Sequence, residues 1–450
     1  MNSSHGLRER GSIVTSGFDI SELSEFQKKV EERREAKLSA EGHRLADAET
    51  TKRLGDFGQS DNIERKGDLS RDAAVRFYLR VLKDELSEEG VTEIAFNHPA
   101  SHTIFVEKNG CWEERPFRVS PRACDRGVRR FSESEPVLPE RVQTQANFDF
   151  INSLSIAVAQ YNGADIKESS PILSAAFPDG ERVQFVRSPA CPKDGISMSV
   201  RRPSLEVKLP QWYLENGFFD EVNPVNRKRA GKEELLALYE RFFDERLAKE
   251  EIRSIRLEFL RRAVELGRTI VIAGATGSGK TTFMKALMQF IPSSERIITI
   301  EDCPELVYGL PNHRNQVNLL YPSEATEESP VNATKLVKSC LRMKPDRILL
   351  AELRGGETYD WVSSVLSGHA GSITSCHAAN AAAVFDYLSM KIKESPVGRN
   401  LPHTAELLRS VIDVIVHIQN DKGERFITEV YFREYEEEKN GRRGTGTPVT

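Results

Sequence analysis

The sequence is poor in cysteine, and the cysteines it has form no metal-binding pattern. None of them forms a C-x-x-C pair, so neither a zinc module nor a disulfide-stapled fold is expected. We predict reduced thiols in a cytosolic protein. The six positions in 450 residues are Cys111, Cys124, Cys191, Cys303, Cys340 and Cys376.

Long apolar runs and a positive charge excess are also missing. No run approaches the ~18 residues that a membrane-spanning helix needs, and residues 1–16 lack the apolar segment of a signal peptide. Peripheral contact with a membrane remains open. The formal net charge is −5, without the basic field of a dedicated nucleic-acid binder. We therefore expect no direct, specific binding to nucleic acid.

The chain is long enough for two or three domains. An α+β domain with a mainly antiparallel sheet is predicted first, because helical and strand patterns there are joined by hairpin turns. A second domain alternates strands and helices, which indicates α/β with a parallel-rich sheet. Residues 1–70 are predicted to be mostly disordered or partly helical; the alternative is a docking or membrane-surface helix carrying Phe18, Leu23, Phe26, Val30 and Leu38. The predicted boundaries are 1–70 extension, 71–203 first domain, 204–245 linker, 246–433 second domain and 434–450 flexible tail.

The segment on which the prediction of function depends is a glycine-rich loop at residues 274–281. It follows the pattern G-x-x-x-x-G-K-[ST] between a short β-branched strand, 269–273, and an amphipathic helix, 282–291. Glycines let backbone N–H groups turn inward around phosphate oxygens, and the lysine adds a mobile positive charge. We predict binding of ATP with Mg²⁺. The predicted nucleotide ligands are Gly274, Ala275, Thr276, Gly277, Ser278, Gly279, Lys280, Thr281 and Thr282, with Thr281 also contacting the metal.

Three more apolar strands of the second domain end in polar residues. Glu301 and Asp302 follow 296–300, Glu352 follows 347–351, and His377 follows 372–375. Ligands of open parallel sheets bind beyond the carboxyl ends of the strands, so these side chains are predicted to surround one nucleotide.

Each of these side chains has a catalytic interpretation and a structural one. Glu352 is predicted to organise Mg²⁺, directly or through water; the alternative is an ion pair with Arg354. Glu301, more than Asp302, is predicted to orient the attacking water; the alternative is a cap on the turn at Pro304. His377, and less strongly His369, is predicted to sense the γ-phosphate rather than fill a core.

Phosphoryl transfer also requires positive charge near the γ-phosphate. Arg182, Arg201 and Arg202 lie at strand ends of the first domain, from which they could close over the nucleotide of their own chain or of a neighbour. The alternative for each is a solvated surface arginine.

The order of these motifs resembles that of the secretion traffic ATPases, and the similarity spans residues 72–432. Their Walker A loop, Asp box, Walker B and His box match 274–281, 299–302, 347–354 and 368–378. The type IV secretion branch fits best, because the P-D-G-E-R turn at 178–182 and the R-R-P triplet at 201–203 resemble its N-terminal domain. The His box departs at Ala370, where proline is common.

The resemblance implies a RecA-like ATPase domain and a homohexameric ring at the cytoplasmic face of the inner membrane. Implied partners are other secretion-system ATPases and inner-membrane channel components. By matching position, Lys280 and Thr281 bind phosphate and Mg²⁺, Glu301 is the base, Glu352 is the Walker B carboxylate, and Arg182 and Arg201 approach the nucleotide. The alternatives are a pilus extension or retraction motor, a RecA-like nucleic-acid motor, and a scaffold that binds ATP without turnover.

Overall fold

The protein is described here from a computed structural model that covers residues 72–121, 128–132, 134–204, 208–220, 222 and 229–444. The predicted helix between Phe18 and Leu38 lies outside these residues. Within them, no helix is long and apolar enough to cross a bilayer.

The described part of the first domain holds three helices and an antiparallel six-stranded sheet. The strand order is β3-β2-β1-β6-β5-β4, and the helices cover an apolar core beneath it. This confirms the predicted α+β class. The bounds are α1 Ala73–Leu79, α2 Lys83–Ser87, β1 Val91–Phe96, β2 Thr103–Lys108, β3 Cys111–Pro116, α3 Glu140–Tyr161, β4 Ile172–Ala176, β5 Arg182–Arg187 and β6 Ile196–Arg201.

The stretch 116–146 is rich in Arg, Pro and Ser and has no clear period, so the sequence predicts an insertion or long loop there; helix α3 begins inside it, at Glu140. Its first turns bury two polar residues, which hid the helical pattern of apolar residues. Gln143 Nε2 donates to Val119 O at 2.9 Å, and Asn147 Nδ2 donates to Pro99 O at 3.1 Å. These bonds satisfy buried carbonyl groups of the neighbouring loops. The buried face of α3 is partly polar because those carbonyls need donors.

The second domain contains a sheet whose strands are mostly parallel, in two pieces ordered β9-β8-β10 and β11-β7-β12-β13 among the described residues. Only β12 and β13 pair antiparallel there. The two pieces lie side by side. Leu353 N, just after β10, donates to Ser375 O on β11 at 2.8 Å. The strands are β7 Ile270–Ala273, β8 Ile297–Glu301, β9 Gln316–Leu320, β10 Arg347–Leu350, β11 Ile373–Cys376, β12 Val414–Asp421 and β13 Glu424–Phe432.

Helices pack against this sheet around two apolar clusters. The largest fully buried side chain is Trp361, whose Nε1 donates to Ser372 Oγ at 2.8 Å. The α/β class with a parallel-rich sheet is confirmed. After the short helix α4 Pro210–Glu215, the helices are α5 Lys232–Glu240, α6 Lys249–Glu265, α7 Lys280–Met288, α8 Ala333–Cys340, α9 Glu357–Leu366, α10 Ala383–Glu394, α11 Thr404–Val411 and α12 Arg433–Gly444.

Helix α5 falls in the predicted linker, 204–245, yet belongs to the core of the second domain. Leu235, Leu236 and Tyr239 are buried, and the Tyr239 hydroxyl donates to Val430 O at 2.6 Å. The predicted linker is therefore too long at its C-terminal end. The turn-rich basic run before α5 drew the prediction, whereas burial of the following apolar residues decides the boundary.

Helix α12 occupies the first part of the predicted flexible tail, so the prediction for 434–444 was wrong. Glu434 is 3% exposed, and its Oε1 lies 3.2 Å from Arg268 Nη2. The Tyr435 ring packs 4.9 Å from that of Tyr239. A charge-dense segment is anchored here by one buried ion pair and one aromatic contact, which composition alone does not indicate.

The two domains meet at the buried guanidinium of Arg296. Its Nη1 donates to Asn97 Oδ1 and to Asn315 Oδ1, both at 2.6 Å, and its Nε donates to Met343 O at 2.9 Å. The Trp112 ring lies 5.4 Å away. Because Asn97 directly follows β1, its bond with Arg296 links the first domain to the second.

Replacing Arg296 by methionine tests this contact. The variant removes these three buried hydrogen bonds, at about 1 kcal/mol each, so we expect a loss of roughly 3 kcal/mol in the free energy of unfolding. Thermal melting measures the change, with exposed Arg253→Met on α6 as control. Equal melting temperatures for the two variants would contradict a role in joining the domains.

A buried carboxylate lies close to this contact. Glu93 is 4% exposed, and burial raises its pKa to about 7 against partial compensation by Arg201, Lys344 and Arg296. The negative charge of Glu107, on the neighbouring strand, also raises the pKa of Glu93. The folded chain thus retains a proton that the unfolded chain releases near pH 4.5.

Stability is accordingly expected to fall as pH rises between about 5 and 7, because the folded state binds more protons there. The full effect is on the order of 3 kcal/mol. Glu93→Gln removes this titration, so its melting temperature should exceed that of wild type at pH 8 but match it near pH 5. A difference that does not change with pH would refute the assignment to Glu93.

Candidate functional site

The glycine-rich loop leads from β7 into α7 at the carboxyl edge of the sheet. Gly274, Gly277 and Gly279 adopt φ values of 156°, 76° and 94°, a region that side chains disfavour. A Cβ on Gly274 would lie 2.3 Å from Ile418 O. The loop can therefore curl only with glycine at these positions. Ser278 Oγ is buried there without a partner among the described residues.

The Lys280 ammonium lies folded against its own loop. Its Nζ donates to Gly274 O at 3.1 Å and to Ala275 O at 3.2 Å, and it lies 3.3 Å from His377 Nδ1. Burial lowers the pKa of Lys280. Because a lysine only donates, Nδ1 of His377 accepts here and the ring proton is assigned to Nε2.

That Nε2 lies 2.6 Å from Glu352 Oε1. The other oxygen of Glu352 accepts from Arg354 Nε at 2.8 Å and Nη2 at 2.6 Å, and Arg354 Nη1 donates to Asp302 Oδ2 at 2.6 Å. A continuous polar chain thus runs from the phosphate loop across the ends of β11, β10 and β8. The ion pair with Arg354, the structural alternative for Glu352, is present, and it leaves Oε1 directed at His377.

Glu301 takes the structural role that the sequence left as its alternative. It is fully buried, and its carboxylate accepts from the backbone N–H groups of Glu305 at 2.7 Å, Leu306 at 2.5 Å and Val307 at 2.9 Å. Burial raises its pKa, opposed by these bonds. In this conformation Glu301 therefore caps the turn, and its role as the catalytic base stays a prediction.

His369 lies far from this edge in the fold. It precedes β11, and its Nδ1 is 3.0 Å from Pro345 O, just before β10. Both positions are at the amino ends of parallel strands, opposite the phosphate loop. The predicted phosphate-sensing role of His369 is therefore wrong, because the whole length of β11 separates it from His377.

The structure does not bring the predicted arginines to the loop. Arg182 and Arg201 face each other in register on β5 and β6, both exposed, and Arg201 Nε lies 3.7 Å from Glu93 Oε1. Arg202 Nη1 donates to Glu88 O at 2.5 Å and to Val91 O at 2.9 Å. Within the described part of the chain, no hydrogen bond or ion pair joins these three arginines to the phosphate loop.

The β12–β13 hairpin, which the sequence motifs did not reveal, forms one wall of the site. An open cleft of about 630 Å³ lies between the loop, the end of β11 and the end of β12, where His417 and Asn420 line it. Asn420 Nδ2 donates to Gly277 O at 3.3 Å. The available signal was the turn at 420–423, between two runs of β-forming residues.

The residues present fit a phosphate ligand and its cation. The loop offers Lys280 and the first backbone N–H groups of α7, while Ala275, Thr276 and Thr282 are exposed. Oxygen ligands suit Mg²⁺, which proteins usually hold through one or two side chains plus substrate phosphates. The Thr281 hydroxyl, one residue beyond Lys280, and Glu352 offer such oxygens.

Comparison with known proteins gives one family. The family model of the Type II/IV secretion system protein matches residues 246–420. The type IV secretion system protein VirB11 of Brucella abortus is 42% identical over 372 residues, 81% of this chain and 91% of that protein. The type IV secretion system protein PtlH of Bordetella pertussis is 34% identical over 371 residues, 81% of this chain and 96% of that protein.

A solved structure agrees. The crystal structure of the VirB11 ATPase from the Brucella suis type IV secretion system, in complex with sulphate, superimposes with a TM-score of 0.68 at 40% identity, covering 83% of this chain and 97% of that one. These findings confirm the resemblance inferred from the motifs. The chain belongs to the VirB11 family of type IV secretion ATPases.

Proposed function

We propose that this ATPase works with Mg²⁺ as a homohexameric motor that powers assembly of, or transport through, a type IV secretion or conjugation apparatus. The observation that carries the proposal is the polar chain from Lys280 through His377 to Glu352. It connects a phosphate-binding lysine to a carboxylate at a neighbouring strand end. Such a connection lets one site bind phosphate and respond to its charge.

The roles follow from position. Backbone N–H groups of the loop and Lys280 bind the β- and γ-phosphates, and Thr281 with Glu352 holds the metal. Mg²⁺, when bound, neutralises charge on the transferring phosphoryl group. Glu352 is also the carboxylate best placed to orient water, because Glu301 is committed to three backbone N–H groups.

The proposal also includes positive charge from the first domain, which would lie near the γ-phosphate. Arg182 and Arg201 are exposed side by side on β5 and β6. They would reach a nucleotide by closure of the first domain or from a neighbouring copy in a ring. Closure would move the domains about the segment between β6 and α5, which contains the short helix α4.

Partners and location belong to the same proposal. The relatives named above are type IV secretion system proteins, so the ring would work with other ATPases and inner-membrane channel components of such a system. It would act from the cytoplasmic face, as a peripheral protein. Electron microscopy of the purified protein with ATP and Mg²⁺ tests the ring, since sixfold particles are expected and monomers alone would refute it.

Hydrolysis is tested with variants of the two central residues. Lys280→Ala should abolish turnover, and Glu352→Gln should lower kcat by about 100-fold, because the carboxylate charge that faces the metal and the water is lost. Lys249→Ala and Glu250→Gln, both exposed at the start of α6, are matched controls. A Glu352→Gln enzyme as fast as wild type would favour a scaffold that binds ATP without turnover.

Glu301→Gln separates the two roles considered for that carboxylate. If Glu301 caps the turn, the NH₂ group of glutamine replaces one of the two accepting oxygens, and the free energy of unfolding should fall by about 1–3 kcal/mol. Residual activity per folded molecule should exceed that of Glu352→Gln. A normal melting temperature combined with a hundredfold loss of kcat would instead identify Glu301 as the base.

A further inference from the structure

The β12–β13 hairpin contacts the phosphate loop at each of its three glycines. Ile418 O lies 2.3 Å from the position that a Cβ would take on Gly274. Asn420 donates to the carbonyl oxygen of Gly277. A Cβ on Gly279 would lie 3.0 Å from Cδ and 3.4 Å from Nε of a third hairpin residue, an arginine at position 425.

Arg425 is an exposed cation beside the residue that precedes Lys280. No described residue forms an ion pair or a side-chain hydrogen bond with its guanidinium. Arg354, the other arginine near the loop, is bound to the carboxylates of Glu352 and Asp302. Arg425 therefore offers uncommitted positive charge at the place where phosphate oxygens would enter.

Asn420 is held at both ends of its amide. Its Oδ1 accepts from Gly423 N at 2.9 Å within the hairpin turn, and its Nδ2 donates to Gly277 O at 3.3 Å. The side chain thus ties Gly277 of the phosphate loop to the β12–β13 hairpin. β12 pairs in parallel with β7, with Val416 opposite Ile272 and His417 opposite Ala273. The hairpin and the phosphate loop therefore extend from two neighbouring, hydrogen-bonded strands.

We propose that the β12–β13 hairpin is part of the nucleotide site, with Arg425 binding phosphate oxygens and Asn420 positioning the loop. The proposal deepens the proposed function and rests on ATP being the ligand. Arginine presents a planar fork that pairs well with phosphate. Its place at the hairpin tip lets it contact the nucleotide in its own chain, without closure of the first domain.

Equilibrium binding tests the role of Arg425 without requiring turnover. Calorimetry with MgADP, and with inorganic pyrophosphate as a ligand that has no base or ribose, is expected to show about tenfold weaker binding for Arg425→Gln. Arg425→Lys keeps the charge and should recover part of the loss. Lys422→Gln removes the same charge from the turn of the same hairpin and should change affinity less than twofold.

Asn420→Asp tests positioning, because aspartate retains the acceptor for Gly423 and loses the donor to Gly277. KM for MgATP should rise severalfold while kcat per bound nucleotide stays near that of wild type, which a general loss of folding would not produce. Pyrophosphate and MgADP affinities of Arg425→Gln within twofold of wild type would overturn the proposal. If ATP hydrolysis by wild type does not depend on Lys280, the motor function is refuted. The binding of MgADP and pyrophosphate then still decides whether the hairpin is part of the nucleotide site.

Discussion

The parallel pairing of β7 with β11 and β12 is the constraint on which the site depends. Ala273, Cys376 and His417 stand opposite one another in register. The chain therefore leaves β7 and β11 at one level, into the phosphate loop and His377, while β12 continues past that level into the hairpin. A slip of one residue would turn the side chains of the strand to the opposite face of the sheet. Burial of β7, β11 and the residues 414–418 of β12 on both faces opposes such a slip.

The second piece of the sheet brings the carboxylates to the same edge. Leu350 stands opposite Ile300, so Glu352 and Asp302 follow at one level, and Arg354 bridges them. Serine side chains join the two pieces, because Ser372 Oγ donates to Ile348 O at 2.6 Å and Ser375 Oγ donates to Ala351 O at 2.8 Å. The polar chain of the site thus crosses from one piece of the sheet to the other, where serine side chains add to the backbone hydrogen bonds.

The sequence predicted the strand-loop-helix context of the P-loop, both fold classes and the strand ends that carry Glu352 and His377. Local pattern sufficed there, since glycine spacing and apolar periodicity are local properties. It could not decide between the two roles of Glu301, because three backbone N–H groups folded over a carboxylate leave no trace in composition. The hairpin was missed for a similar reason: its contacts with Gly274, Gly277 and Gly279 join residues more than 100 positions apart.

Lys280 shows why binding at this loop must affect the rest of the site. Its ammonium is shared among two loop carbonyls and His377, and His377 in turn faces Glu352. A phosphate that takes the ammonium competes with all three contacts, since one lysine has only three protons to donate. The histidine then loses its donor and the balance of charge around Glu352 and Arg354 changes. We therefore expect occupancy of the loop to affect Asp302, at the end of β8, through these contacts.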